Sequence, residues 1–432
     1  MNRTAAPLAI ALALACVPAS AQTRQDQRAQ QQTPTAVPTQ TPGEVERGET
    51  VMSRARPDYD PIGLRLGGFV LYPELGLQES YDSNIFATPT GERSDFITTI
   101  EPSLNLKSNW NNHALNFKAD AQILKYADHS SEDQDNYSFG TDGRLDIQRD
   151  ARVFGGASYA VRHESRYSPN DLGGREPTKY DVISANVSPE KDFNRFSVRL
   201  DGNVDRFSYS NNSTAAGATI FEDQRDHTEY QIGIKPTYEL APLRQIYGLF
   251  AYNWRDYDSG SVFGFNRNST GITLALGARY DITGILFADV FLGYREQNYD
   301  DPRLPSVQGP AGGAKLTWNV TRLTTVTGLI SREVQETILT GSSGYFATKA
   351  EARVDHELLR NLILNGSIGY ENDDFEGISR NDNFVVLGLG AKYLINRNFA
   401  LSGGYSFRTR SSDAAASDFD DHITFLRLSS HL

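Results

Sequence analysis

Cysteine and methionine are nearly missing from this 432-residue chain, which has 1 Cys and 2 Met. The one cysteine, Cys16, stands close to the N-terminus. The rest of the chain therefore has no thiol for a disulfide or for a thiolate metal site. Long apolar runs are missing as well. Beyond the first residues no segment offers the roughly 18 consecutive apolar residues of a membrane helix, which excludes a helical membrane bundle. An excess of positive charge is also absent. The formal net charge is −12, which argues against a nucleic-acid partner. Hydrophobic residues make up only 39%, little for a large buried core. Motifs of covalent chemistry are lacking: no Gly-x-Ser-x-Gly, no HExxH, and no glycine-rich phosphate loop between a strand and a helix.

What the chain does have is rings and glycine: 21 Tyr, 22 Phe and 36 Gly. Disordered chains are poor in aromatics, so most of this one folds. The N-terminus is the exception. Residues 1–21 read as a signal peptide, with Arg3 as the positive region, a short apolar stretch from Ala5 to Ala15, and Ala19-Ser20-Ala21 as a small-x-small cleavage site. Cleavage removes Cys16 and Arg3 and takes the net charge from −12 to −13. Residues 22–66 follow as a Gln/Pro/Thr-rich tract and lead-in. From Gln22 to about Arg56 there is too little apolar surface to offset ordering entropy, which predicts disorder.

From Gly67 to the end, residues 67–432, the texture is uniform. Segments of alternating polar and apolar residues are separated by turn-like connectors. In Leu115–Lys125, Leu115, Phe117, Ala119, Ala121 and Ile123 face one way, and Asn116, Lys118, Asp120 and Gln122 the other. Phe69–Leu77, Phe196–Val204, Tyr230–Leu240 and Ile272–Tyr280 alternate in the same way. A period of two puts successive side chains on opposite faces of a sheet. No stretch carries a helical period.

Connector length separates the candidate classes. Short connectors at Trp110–Asn112, Arg149–Arg152, Ala241–Leu243, Asp281–Gly284, Thr321–Leu323, Leu358–Asn361 and Asn396–Asn398 alternate with long ones. The long ones include Asp82–Asp95, Ala127–Asn136, Ser168–Lys179, Ser210–His227, Tyr257–Ser269 and Asn298–Pro310. A soluble sandwich has uniformly short connections. Alternating lengths predict an all-β, transmembrane, antiparallel up-and-down β-barrel of about 18 strands, with tight periplasmic turns and long external loops. A repeat supports it: Trp318–Gly328, His356–Gly366 and Tyr393–Gly403 align at roughly one hairpin plus one long loop. Each copy opens with a ring at a strand exit, where an interfacial girdle would lie. The ending Ser430-His431-Leu432 lacks the aromatic terminus usual for barrel-assembly signals.

The run from Arg56 to Phe69, with Leu71-Tyr-Pro-Glu-Leu-Gly76 and Tyr81-Asp-Ser-Asn-Ile-Phe86, resembles the outer-membrane β-barrel porin family of Gram-negative bacteria, often encoded with exopolysaccharide export genes. The resemblance covers about residue 54 to the end. It implies an outer-membrane pore, with export of a secreted polysaccharide as its function. The partners it implies are lipid and lipopolysaccharide, an acidic polysaccharide, periplasmic export proteins and the barrel-assembly machinery.

Strand phase assigns Glu74, Lys118, Asp120, Arg144, Arg162, Glu164, Arg199, Asp201, Lys235, Glu239, Arg279, Arg353 and Lys392 to the lumen, along with Asp142, Asp146, Lys349 and Glu351. These charges either neutralise one another or line a wet channel that attracts acidic solutes. About 18 strands enclose enough space for water. Loop aromatics such as Tyr257, Phe263, Phe265 and Tyr299 stack on sugars, fold inward, or sit at the lipid interface. Four of the seven histidines follow an aspartate: His129, His227, His356 and His422. A rim enzyme acting on lipid or polysaccharide would use His129 or His227 with a carboxylate. A closed-lumen surface anchor or adhesin is the other alternative. The acidic clusters Glu132–Asp135, Asp300–Asp301, Asp373–Asp374 and Asp418–Asp421 do not have calcium-loop spacing, so neither a metal nor a cofactor is expected.

Overall fold

The computed structural model describes residues 49–432. The expected signal peptide and most of the Gln/Pro/Thr-rich tract lie outside the described residues. One sheet of 19 strands accounts for nearly everything, and setting aside the three-residue piece Leu64–Leu66 leaves 18 long strands. In chain order they are β1 (Phe69–Asp82), β2 (Asp95–Ser108), β3 (Ala114–Tyr126), β4 (Gln134–Gln148), β5 (Ala151–His163) and β6 (Lys179–Phe193). Next come β7 (Phe196–Tyr209), β8 (His227–Ala241), β9 (Arg244–Tyr257), β10 (Ser269–Asp281), β11 (Leu286–Tyr299) and β12 (Val307–Thr321). The last are β13 (Thr324–Glu336), β14 (Gly344–Leu359), β15 (Leu362–Glu376), β16 (Asn381–Leu394), β17 (Phe399–Ser412) and β18 (Phe419–His431).

Each strand pairs antiparallel with its sequence neighbour, and β1 pairs with β18 from Glu74↔His431 to Asp82↔Ile423. The sheet is therefore a closed barrel with no open edge, as the connector lengths predict. The seam has one further part. The lower end of β1 reaches past β18 and is covered by Leu64–Leu66, paired from Leu64↔Leu71 to Leu66↔Phe69. This tight return places Gly67 at φ 63°, a left-handed conformation that glycine adopts without steric cost.

The alternation decides which face meets what. Leu276 is 76% exposed, Leu292 71% and Leu389 66%, and all three stand outward beside other exposed Leu, Ile, Val and Phe. Keeping one such side chain in water costs about 1.5–3 kcal/mol, so an outer face built from dozens of them belongs in hydrocarbon. The closed ladder meets the matching backbone requirement, because every strand finds its hydrogen bonds within the barrel. Tyr238, Tyr280, Trp318 and Tyr393 stand exposed near the short-turn end, where the repeat places its rings. The short connectors lie at one end of the barrel and the longer ones at the other. The longer are 83–94, 127–133, 164–178, 210–226, 258–268, 300–306, 337–343 and 413–418, and the four-residue connector 377–380 lies at the same end.

The end of the tract departs from what its composition indicates. Residues 49–56, expected to be disordered, pack against the short-turn end. Val51 is 1% exposed and donates its N–H to Thr325 Oγ1 at 2.9 Å. Arg56 is 4% exposed and its Nη2 lies 2.8 Å from Glu357 Oε2. A few anchors placed against a preformed rim order this segment, and composition does not report them.

Candidate functional site: the barrel lumen

Inward positions follow from strand phase, and a repeated spacing organises their charge. Lys118–Asp120 (3.2 Å), Arg144–Asp146 (2.9 Å), Arg199–Asp201 (2.8 Å) and Arg353–Asp355 (2.8 Å) are each two residues apart on one strand. A period of two puts both partners on the same face, so each strand carries its own ion pair on the inner wall. Other pairs run between strands. Arg279 on β10 meets Asp289 on β11 at 2.8 Å, and Lys349 on β14 meets Glu371 on β15 at 2.9 Å. Arg427 on β18 bridges the closing seam to Glu74 at 3.6 Å and also binds Glu101.

These walls surround a cavity of about 1450 Å³. Of the residues expected in the lumen, Glu74, Lys118, Asp120, Arg162, Glu164, Arg199 and Asp201 line it. Glu164 does so from a loop rather than a strand, because β5 ends at His163. Arg144, Lys235, Glu239, Arg279, Arg353 and Lys392 have inward phase but are not on the cavity wall; they lie toward the short-turn ends of their strands. The sequence reading missed Glu101, Asp289, Lys315, Arg408 and Arg427, which also line the cavity. Asp289 stands between inward Phe287 and Phe291, so both faces of β11 look apolar and the alternation there is blurred. The cation-x-Asp spacing would have been a sharper signal than alternation alone.

Two loops form a roof at the long-loop end. Loop 164–178 is tied down by Arg166, whose Nε and Nη2 donate to both oxygens of Glu132 at 2.8 and 2.6 Å. Glu164 accepts two bonds from Arg225, at 2.9 and 3.0 Å. The loop then crosses the mouth. Tyr167 O accepts from Arg410 on β17 at 3.0 Å, and its ring lies 4.3 Å from the Arg408 guanidinium. Asn170 Oδ1 accepts from Thr337 Oγ1 and Ile338 N, both at 3.0 Å. Thr337 and Ile338 belong to loop 337–343, which follows β13 on the opposite side of the barrel from β5 and β6.

That second loop leans inward because β13 leaves β12. Their pairing stops at Gly312↔Arg332, while β13 stays with β14 up to Glu336↔Gly344. The freed tip packs Val334 and Phe346 against Val307 and Tyr299. Glu336 accepts from Tyr299 Oη at 2.8 Å and pairs with Arg255. Fully buried Arg267 donates to the carbonyls of Ser342 and Leu339, each at 3.0 Å. Burial pushes the Asp171 carboxyl in this roof up to about 6, with Glu164 adding to the rise and Arg166 opposing it. At the other end, residues 49–56 lie over the β12–β14 rim. Asn319 Nδ2 donates to Glu49 O at 2.8 Å, and Glu357 receives Arg54, Arg56 and Arg360 at 3.5, 2.8 and 3.3 Å.

The histidines are structural in their contacts. Each of the four histidines that follow an aspartate contacts a residue other than that aspartate. His129 Nδ1 meets Asp95 at 2.9 Å, and Asp95 also ties the His129 and Asp128 amides. His227 is 2% exposed, stacked between Phe207 (4.8 Å) and Tyr257 (4.6 Å), with Nδ1 on Arg225 O at 2.6 Å. His356 meets Thr324 Oγ1 at 3.0 Å, and His422 meets Tyr405 Oη at 2.7 Å. Of the loop aromatics, Tyr257 and Tyr299 turn inward at strand ends, while Phe265 lies 4.5 Å beneath the Arg303 guanidinium. Among the described residues no group of three or more His, Cys, Asp or Glu could hold a metal ion.

A closed barrel with an apolar outside, a charged inside and a central cavity is the architecture of an outer-membrane porin. The chain belongs to the family described as "Putative beta-barrel porin 2", whose profile matches residues 56–431. Porins are channels rather than enzymes. Among solved structures, OccK2 (OpdF) from Pseudomonas aeruginosa, in complex with glucuronate, aligns with a TM-score of 0.47 and 9% identity. That alignment covers 84% of this chain and 98% of the other. A BenF-like porin from Pseudomonas fluorescens Pf-5 aligns with a TM-score of 0.46 and 11% identity, covering 84% and 99%. Comparison with curated proteins gives no match.

Proposed function

We propose that this porin-like barrel passes a secreted acidic polysaccharide across the outer membrane. The observation that carries the reading is the charged inner wall around the 1450 Å³ cavity. Ion pairs there leave a polar, hydratable surface where a packed core would otherwise sit. Passage needs no covalent step: the chain slides through water, and the charges on the wall set which solutes enter. The signal peptide delivers the chain to the periplasm, the assembly machinery inserts it, and lipopolysaccharide surrounds the outer leaflet. The tract before residue 49 serves as a contact for a periplasmic export partner or as a spacer.

The test is a planar bilayer holding residues 22–432, with an acidic oligosaccharide added to the short-turn side. Current steps that the oligosaccharide blocks support the reading. Steps that neither acidic nor neutral saccharides disturb contradict a polysaccharide cargo. A second reading, a closed-lumen surface anchor, is favoured by the roof and by the segment 49–56 at the far end. It predicts a folded, heat-modifiable protein that conducts nothing.

A further inference from the structure

We propose that the upper part of the β12–β13 junction is a side gate in the barrel wall. It admits the acyl chain of a single-chain anionic amphiphile, and Arg332 takes the carboxylate head. Such a gate concerns the wall and does not depend on what travels along the lumen.

The ladder is continuous around the barrel but not equally tall. β10 and β11 stay paired up to Ser269↔Tyr299, and β14 and β15 up to Gly344↔Glu376. Between β12 and β13 the last rung is Gly312↔Arg332, although β12 also contains 307–311 and β13 also contains 333–336. Pro310 lies in this stretch without rungs and has no N–H to offer, which suits the edge of a sheet.

Side chains close the wall there instead. Ile330 stands outward at 55% exposed, and strand phase puts Arg332 and Val334 on the same face, with Phe346 opposite Val334 on β14. On β12 the inner face carries Gly313 and, by the same phase, Val307, Gly309 and Ala311. Yet Val307, Val334 and Phe346 form one buried cluster with Tyr299 against it. The outer face of the β13–β14 tip therefore lies on the inner face of β12, and the two overlap. Two glycines make the fit possible. An added Cβ at Gly309 would meet Phe346 Cζ at 3.4 Å, and one at Gly344 would meet Val307 Cγ2 at 3.4 Å. Glu336, held by Tyr299 and Arg255, latches the tip at its top. Parting the overlap breaks apolar packing and this latch but no rung of the ladder, whereas parting fully paired strands breaks several.

An opening here joins two environments. On the inner side Glu333, Val334 and Gln335 border the cavity. On the outer side Tyr294, 39% exposed, stands in register with Pro310 and bonds Gln308 at 2.8 Å, a ring at the headgroup level. The overlap is apolar in a wall that is otherwise charged, so it suits hydrocarbon rather than sugar. Arg332 lies at its foot. The guanidinium is 4.3 Å from the Phe346 ring centroid, Nη1 donates to Thr348 Oγ1 at 2.5 Å, and buried Nε has no hydrogen-bond partner. Among the described residues Arg332 makes no ion pair. Its neighbour Glu333 has the opposite phase and faces the cavity. On the outer face Glu296 accepts from Asn298 at 2.7 Å, and Asp374 is two strands away on β15, opposite Phe346 and exposed. A lipid-side arginine without an acid, beside an apolar overlap, matches a carboxylate that carries a hydrocarbon tail.

The experiment uses the folded protein in dodecyl maltoside, checked by heat-modifiability. Dodecanoate with a chain-end diazirine is the probe, with the equally tagged dodecanol and phosphatidylglycerol as controls, and adducts are mapped by mass spectrometry. Dodecanoate is expected to label 307–311, 332–336 and 344–348 saturably. Arg332→Gln should raise its half-saturating concentration about tenfold, and Gly309→Val, which fills the space beside Phe346, should abolish the labelling. Dodecanol should label the outer belt evenly in every variant. Opening is read separately in liposomes, where Val334→Cys should react with a membrane-soluble maleimide, faster with dodecanoate present. Ile97→Cys, equally buried behind a full ladder, should stay unreactive. Even labelling by dodecanoate, or labelling unchanged in both Arg332→Gln and Gly309→Val, overturns the site. Saturable labelling by phosphatidylglycerol and not by dodecanoate overturns a free amphiphile as the occupant. If Val334→Cys reacts no faster than Ile97→Cys, the wall does not open and the gate is overturned.

Discussion

A cation two residues before an aspartate is a small device with a defined range. In a hydrated lumen such a pair contributes about 0–1 kcal/mol, so Lys118–Asp120 shapes the local field more than it holds the fold. The roof pair Glu132–Arg166 is different, because Glu132 is 2% exposed and Arg166 8%. Replacing Glu132 with Ala strands a buried guanidinium and is expected to cost about 3–5 kcal/mol in the roof, read as faster proteolysis of loop 164–178. Asp171 in the same loop sets a pH dependence. Its carboxyl is raised from the usual 3.8 to about 6, so the folded loop holds the proton more tightly than the unfolded chain does. The loop is therefore firmest below about pH 4, and loses that stability as pH rises through about 6. Hydrogen exchange in the loop should accelerate from pH 4 to pH 7 beyond its intrinsic rate, and Asp171→Asn should flatten the change. An unaltered profile in Asp171→Asn would rule this out. Tyr247 fills the space beside Gly277 and donates to Asp289 at 2.7 Å. Gly277→Ala is expected to expel the Tyr247 ring and free Asp289, lowering thermal stability while leaving the barrel closed.

At the scale of elements, strands were legible and loops were not. Leu115–Ile123 against Asn116–Gln122 shows both faces of β3 in the sequence, because period two is a local property. The ring-plus-turn repeat located the hairpin ends at Trp318, His356 and Tyr393 for the same reason. The inward lean of loop 337–343 depends on β13 leaving β12 after Arg332, and its link to Asn170 spans the barrel. Neither leaves a local pattern. Residues 49–56 escaped for a related reason: their anchors, Thr325 and Glu357, are far away in sequence. Deleting residues 22–48 is therefore expected to leave barrel stability unchanged. Deleting 22–56 should lower the midpoint of heat-modifiability, because it removes Val51 and Arg56. Equal midpoints for the two deletions would show that the segment contributes nothing to the rim.

For the whole molecule, the outer and inner faces impose one environment each. The outside asks for hydrocarbon, and the closed seam from Glu74↔His431 to Asp82↔Ile423 meets the backbone requirement of that environment. The inside asks for water around paired charges. The roof of loops 164–178 and 337–343 lies across the long-loop end, and residues 49–56 pack on the β12–β14 rim at the short-turn end. The central claim is that water and ions still pass through. The most direct measurement is the single-channel current of folded residues 22–432 in a planar bilayer. Discrete open steps are expected, and larger ones when Asn170→Ala releases the two roof loops from each other. A folded, heat-modifiable barrel that stays silent, with and without Asn170→Ala, would contradict it.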